Sequence, residues 1–152
     1  MPAKDIYHDL VKTALQKEGW TITHDPYRLS SGGTELFIDL GAEKLIAAEK
    51  EGTKIAVEIK SFLSASKISD FYNALGQLAH SLAPCVDAGS LAFLTYRIGL
   101  EAEEPERILY LAIPKAVNDE LFSLKLIETA VKQYQIRSIV YEIKTGVITK
   151  WL

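Results

Sequence analysis

Three residues in the first half of the chain, Asp39, Glu58 and Lys60, could together carry out metal-dependent chemistry on a phosphodiester. Two carboxylates on neighbouring strands could hold a hard cation such as Mg²⁺ or Mn²⁺, which prefers carboxylate and water oxygens as ligands. A lysine beside them could orient or deprotonate the attacking water and neutralise the charge that develops on the phosphate. The pattern of an acid, eighteen intervening residues and then Glu-Ile-Lys therefore predicts a DNA endonuclease-type site.

The stretch IAVEIK, residues 55–60, predicts the strand that would carry two of these side chains. Alternate side chains of a strand point to opposite faces, so Glu58 and Lys60 share one face and the apolar residues Ile55, Val57 and Ile59 share the other. An acid followed at a distance by Glu-x-Lys also occurs by chance. A solvated outer face with a weak surface ion pair remains the alternative interpretation of the pair.

The elements predicted around these residues follow a recognisable order. Periodicity and turn residues indicate helices over 4–18, 68–82 and 114–133, with a less regular apolar segment over 86–100 that could be a further helix. Strands are predicted over 20–24, 35–40, 45–49, 54–61 and 107–113, with two more within 136–152. The order α-β-β-β-α-β is that of a restriction-endonuclease-like core. We therefore expect one α/β domain over residues 1–152, with a mixed sheet flanked by helices.

Two further polar residues are candidate accessory groups of the site. His8 lies on the first predicted helix and could cap it, pair with a carboxylate or face the cleft. Gln77 lies on the helix that follows Lys60, where some nucleases of this fold use a glutamine. The apolar stripes of 68–82 and 117–131 are expected to pack on the sheet that contains Val57.

The composition limits the function classes. A net charge of −3 and an isoelectric point near 5.6 argue against a free-standing tight DNA binder, because sequence-independent affinity comes from lysine and arginine that neutralise phosphates. Cys85 is the single cysteine, which excludes an intrachain disulfide and a thiolate metal cluster. The first residues lack an apolar leader region, and no apolar run approaches the roughly 18 residues of a membrane span. A cytoplasmic location with no membrane association is expected.

Four stretches of the sequence resemble the XisH family, small cyanobacterial proteins called fdxN-element excision controlling factors. They are KDIYHDLVKTALQKEGWTITHDP, FIDLGAEKLIAAEKEGTKIAVEIKSF, DFYNALGQ and ERILYLAIP. The resemblance covers nearly the whole chain and is most specific over 37–62. It implies a restriction-endonuclease-like fold. It also implies a role, with an XisI-type partner, in the programmed excision of a DNA element by a separate site-specific recombinase.

One segment departs from the family pattern. Residues 78–92 are expected to be an insertion, which puts Tyr96 nineteen residues after Gln77 instead of one helical turn away. Two functions remain open from the sequence: a Mg²⁺-dependent DNA nuclease, also conceivable as a toxin-like nuclease held by its neighbour, and a non-catalytic accessory factor that binds DNA or a recombinase. Whether the chain forms a homo-oligomer is also open.

Overall fold

The computed structural model describes residues 6–44, 52–62 and 92–152. Within them the helices are α1 (His8–Lys17), α2 (Ala92–Glu103), α3 (Lys115–Leu121) and α4 (Lys125–Gln133). The strands are β1 (Thr21–His24), β2 (Tyr27–Ser31), β3 (Thr34–Ile38), β4 (Leu40–Lys44), β5 (Thr53–Ile59), β6 (Arg107–Pro114), β7 (Ser138–Glu142) and β8 (Val147–Trp151). None of the helices in these ranges is long and apolar enough to cross a membrane.

Among the described residues, six strands form one mixed sheet in the order β1-β4-β5-β6-β7-β8. The three central strands β5, β6 and β7 run parallel, and the outer pairs are antiparallel. One edge of the sheet, in the sense of one end of its strands, therefore contains the carboxyl ends of β1 and β5 and the amino end of β4. This confirms a mixed sheet flanked by helices.

Both faces of the sheet are covered, and each carries its own core. Ile55, Val57 and Ile59 of β5 face α1, in a cluster with Val11, Leu15, Leu40, Ala112, Ile139 and Tyr141. Ala56 of β5 lies on the other face, in a cluster with Leu100, Leu109, Leu111, Val117, Leu121 and Ile127 from the later strands and helices. The apolar stripe of 117–131 therefore packs on this sheet, as expected, and it does so on the face opposite Val57. The Val57 face packs on α1.

A second small sheet, the ribbon β2–β3, connects β1 to β4 and was not predicted. Its two strands pair from Tyr27 opposite Ile38 to Ser31 opposite Thr34, around the turn at Gly32 and Gly33. The ribbon packs on α2 where Gly99 has no side chain. A Cβ at Gly99 would lie 2.8 Å from Leu29 Cδ2, so a glycine there lets the ribbon and the helix approach closely.

Other boundaries differ from the sequence-based ones for local reasons. The predicted helix over 114–133 is two helices, α3 and α4, separated by residues 122–124. Pro114 lies in extended backbone immediately before α3, as expected of a residue that cannot donate an N–H within a helix. The apolar segment predicted over 86–100 contains helix α2, which continues past it to Glu103. The predicted strand 45–49 and helix 68–82 lie outside the described residues.

A buried arginine, Arg107, joins the ribbon, the sheet and the end of α2. Its guanidinium donates to both oxygens of Glu104, at 2.7 and 3.2 Å, and to the carbonyl oxygen of Ile55 at 2.8 Å. The same guanidinium lies 4.6 Å from the ring centre of Tyr27, whose hydroxyl donates to Glu104. Hydrogen bonding to Arg107 lowers the pKa of Glu104 to about 2.

We predict that Arg107→Met destabilises the protein by about 3 kcal/mol at neutral pH, because it leaves a partly buried carboxylate without its main partner. The low pKa of Glu104 also makes its contribution depend on pH. That contribution is complete above the ordinary value of 4.5 and is lost as the pH falls towards 2, and Arg107→Met should reduce this loss. Urea unfolding across this pH range measures both effects.

The matched control is Lys54→Met, because Lys54 also contacts Glu104 but at 3.6 Å and with a more exposed side chain. An ion pair of this kind contributes less than about 1 kcal/mol. Equal losses of stability in the two variants would contradict the central role of Arg107.

Candidate functional site

Asp39 lies in the single-residue break between β3 and β4, at the sheet edge where β5 ends. Leu40, the next residue, pairs with Val57 of β5. The Asp39 carboxylate accepts a hydrogen bond of 2.7 Å from the backbone N–H of Ile59. The sequence predicted one strand over 35–40, but the chain divides at Asp39 into the last residue of the ribbon and the first of the main sheet. The carboxylate is thereby fixed beside the end of β5.

Glu58 projects from β5 on the face opposite Val57, next to Asp39. Burial, the negative charge of Asp39 and a hydrogen bond between the two carboxyl groups raise the pKa of Glu58 well above its ordinary value. The Asp39 backbone N–H and the charge of Lys60 act in the opposite direction on this pKa and are the smaller effects. Glu58 Oε2 is inaccessible to solvent and has no hydrogen-bond partner among the described residues. The solvated-face interpretation of Glu58 is therefore wrong.

Lys60 is placed directly beyond the end of β5. Its backbone N–H donates to the carbonyl oxygen of Ala112 at 3.1 Å, which continues the pairing of β5 with β6 by one residue. Phe62, two residues later, has a φ of 57° and a buried side chain. A bulky residue in this left-handed region is strained, and such strain persists where the surrounding packing enforces it. The packed Phe62 side chain therefore fixes the path of the chain immediately after Lys60.

Tyr96 on α2 lies near enough to Asp39 and Glu58 for their charges to act on its hydroxyl. Burial first, and then the negative charges of Glu58 and Asp39, raise the pKa of Tyr96. Its ring also packs against the core cluster of Ile38 and Leu100. The sequence left the position of Tyr96 in doubt because of its distance from Gln77, which itself lies outside the described residues.

His8 belongs to a separate polar cluster on the α1 side of the same sheet edge. The buried imidazole donates from Nε2 to Asp25 Oδ1 at 2.6 Å, and Lys12 donates to Asp25 Oδ2 at 2.7 Å. Of the three possibilities left open by the sequence, pairing with a carboxylate is the observed one. Sequence reasoning missed Asp25 and Lys12. The signal available was the spacing of His8 and Lys12, four residues apart and hence on one side of α1.

The donor set fits a hard divalent cation. The described residues contain no group of three or more histidine, cysteine or acidic side chains that could enclose a metal. Mg²⁺ does not require such a cage, because it is usually held by one or two carboxylates and keeps several waters or substrate oxygens. Asp39 and Glu58 supply two carboxyl groups in contact, and the unpartnered Oε2 of Glu58 is an oxygen that a cation would satisfy.

We predict that Glu58→Gln stabilises the metal-free protein at neutral pH, because it removes a buried carboxyl group whose ionisation beside Asp39 is unfavourable. The folded state binds the Glu58 proton more tightly than the unfolded chain does. The wild type should therefore lose stability as the pH rises above 4.5, and Glu58→Gln should lose less. Thermal unfolding in the presence of a chelator, from acid to neutral pH, measures this difference.

Glu128→Gln is the control, because Glu128 pairs with Lys132 on the exposed surface of α4 and lies away from the site. Its melting temperature should follow the wild-type pH profile. A Glu58→Gln variant that is less stable than the wild type at neutral pH would show that the carboxylate is structural.

Comparisons with known proteins agree with the resemblance seen in the sequence. A profile of the XisH protein family matches residues 1–83 and 88–149. Residues 84–87, which lie within the insertion expected over 78–92, fall between the matched ranges. No curated protein matches the chain.

Two crystal structures are similar over almost the whole chain. One is an XisH family protein from Nostoc punctiforme PCC 73102, 38% identical, with a TM-score of 0.79 over 97% of this chain and 99% of that one. The other is an fdxN element excision controlling factor protein from Anabaena variabilis, 39% identical, with a TM-score of 0.77 over 97% and 98%. This chain belongs to the XisH family.

Proposed function

We propose that this protein is an excision controlling factor whose Asp39, Glu58 and Lys60 form a Mg²⁺- or Mn²⁺-dependent endonuclease-type site for DNA. The observation that carries the proposal is the buried carboxyl pair, in which Glu58 Oε2 has no hydrogen-bond partner among the described residues. Burying a carboxyl group beside another one costs stability unless something compensates. A divalent cation between the two acids would provide that compensation.

The geometry supports a distinct part for each residue. Asp39 and Glu58 would hold the cation, which when bound would polarise the phosphate and lower the pKa of a water. Lys60 is near enough to Glu58 to lower the pKa of that carboxyl group by its charge, so its ammonium could neutralise charge that develops on the phosphate. Tyr96 keeps its proton, because burial and the two acids raise its pKa, and its hydroxyl can therefore donate a hydrogen bond.

The proposed fold relation is to restriction-endonuclease-like proteins. It is supported by the helix α1, the antiparallel strands β1, β4 and β5 of the main sheet, and the parallel return to β6 through α2. It is also supported by the position of the acids at the carboxyl end of β5 and the adjacent end of β4. Lys12 and Lys60 at this edge would contact DNA phosphates only with help, because the net charge of the chain is −3.

A partner protein could help this chain to bind DNA. The Anabaena variabilis relative is described as a factor that controls excision of the fdxN element. We infer by similarity that this chain acts in the cytoplasm on such a DNA element, with an XisI-type protein and with a separate site-specific recombinase. The partner would provide the positive charge, or the targeting, that the acidic chain lacks.

A second candidate function is a non-catalytic accessory factor that binds DNA or the recombinase. The hydrogen bond from Ile59 N–H to Asp39 favours it, because an acid that stabilises local backbone has a structural reason to be present. The two functions make opposite predictions for the response of the protein to a divalent cation.

We predict that Mn²⁺ raises the melting temperature of the wild type and has no such effect on Glu58→Gln or Asp39→Asn, because a ligand that binds only the folded state stabilises it. Asparagine at position 39 keeps an oxygen that can accept from Ile59 N–H, so the backbone contact is preserved. Lys60→Met should retain the Mn²⁺ response and lose cleavage of supercoiled DNA in Mg²⁺ or Mn²⁺, measured with and without the XisI-type partner.

Asp119→Asn is the control variant, since Asp119 pairs with Lys115 on the exposed surface of α3. It should keep both the Mn²⁺ response and the cleavage. If Mn²⁺ shifts the wild type and the two site variants equally and no DNA is cut, the nuclease function is wrong and the accessory function stands.

A further inference from the structure

A second candidate site lies at the opposite edge of the sheet, in a cleft of about 540 Å³ between α2, the end of α4 and the amino ends of β6 and β7. Three of the four arginines of the chain line it, Arg97, Arg107 and Arg137, and no lysine does. We call it the arginine cleft. Arg107 pairs with Lys54 of β5, four residues before Glu58, so the cleft is about 13 Å along the sheet from that acid.

Two of these arginines keep donors that the protein does not use. Arg97 donates through Nη1 to the carbonyl oxygens of Tyr134 and Gln135, at 2.5 and 3.5 Å, which leaves its other nitrogens without partners among the described residues. The side chain of Arg137 is exposed and makes no hydrogen bond or ion pair with the described residues. Arginine presents its donors as a planar fork that matches a carboxylate or a phosphate. The cleft therefore offers unused anion recognition.

The rim of the cleft also exposes apolar surface. Ile98 is 69% exposed and Tyr134 is 37% exposed, and both line the cleft. The side-chain amides of Gln133 and Gln135 lie beside them. A ligand that combines one anionic group with an adjacent apolar group would satisfy the arginines and cover this surface together.

The charges around the cleft select the kind of anion. Glu101 lines it, and Glu103 and Glu106 are exposed on the same turn of chain. These acids oppose a polyanion such as a nucleic acid, whose binding requires many neutralised phosphates. They also oppose a phosphate, which carries nearly two charges at neutral pH, more than a singly charged carboxylate. Carboxylate recognition is the chemistry that remains.

We propose that the arginine cleft binds a carboxylate that lies beside an apolar group. Arg97 and Arg137 hold the carboxylate, and Ile98 and Tyr134 contact the apolar neighbour. Two kinds of ligand have a carboxylate beside an apolar group: a small aliphatic acid, and a peptide with a glutamate flanked by leucines. This site is independent of the candidate nuclease site and does not depend on the function proposed for it.

The arginine side-chain Nε–H signals in a ¹⁵N-correlated NMR spectrum test the proposal directly, because the chain has only four arginines. The probes are 4-methylpentanoate and an acetylated, amidated tripeptide with one glutamate between two leucines. We expect saturable shifts at Arg97 and Arg137 and none at Arg28, which pairs with Glu35 on the ribbon. Arg137→Gln should weaken binding about tenfold, the loss of one charge-assisted hydrogen bond, and Arg28→Gln should not.

Three comparisons decide the result. The neutral amide of 4-methylpentanoate should give no saturable shift, and inorganic phosphate and a single-stranded oligothymidylate should bind more weakly than the acid. Saturation by the acid alone supports a small-molecule ligand, and saturation by the tripeptide supports a protein segment. The proposal is overturned if the signal of Arg28 shifts as much as those of Arg97 and Arg137, or if the shifts do not saturate. It is also overturned if the neutral amide produces the same shifts, or if phosphate or the oligothymidylate binds more tightly than the acid.

Discussion

The interaction on which the site depends is the burial of β5 on both of its faces. Val57 packs against α1, and Ala56 packs against the later helices, so no side chain in the middle of β5 reaches open water. A carboxyl group at position 58 is therefore forced into a partly apolar layer. Its pKa rises for that reason first and because of Asp39 second. The same alternation that makes β5 a good core strand makes Glu58 an unusual acid.

Much of this was predictable from the sequence, because it follows from local pattern. The alternation of 55–60 gives the strand and the shared face of Glu58 and Lys60, and the spacing to Asp39 gives the pairing of acids. The break of the chain at Asp39 was not predictable, since it depends on a hydrogen bond to Ile59, twenty residues away. The burial of Arg107 was likewise not predictable, because the sequence shows only a charged residue at the start of an apolar strand. Its partners come from other elements.

Helix α2 connects the two regions of interest. Tyr96, near its start, lies by the acids, and Glu104, just after its end, pairs with Arg107 at the opposite edge of the sheet. Between Tyr96 and Glu104, helix α2 packs against the ribbon at Gly99. One helix thus positions a hydroxyl of the candidate nuclease site and a wall of the arginine cleft. Its sequence could not show this, because its apolar residues are spread around the helix and do not mark a single buried stripe.

Asp39 and Glu58 differ in how strongly each supports a functional site. Asp39 stabilises local backbone, so its presence has a structural explanation whether or not a cation binds. Glu58 has a raised pKa and an oxygen without a partner among the described residues, and the Asp39 backbone N–H and the charge of Lys60 offset its burial only in part. Proteins retain groups that lower their stability chiefly where function requires them. The argument for a site at this edge of the sheet therefore rests on Glu58. A functional role for Asp39 is inferred only from its contact with Glu58.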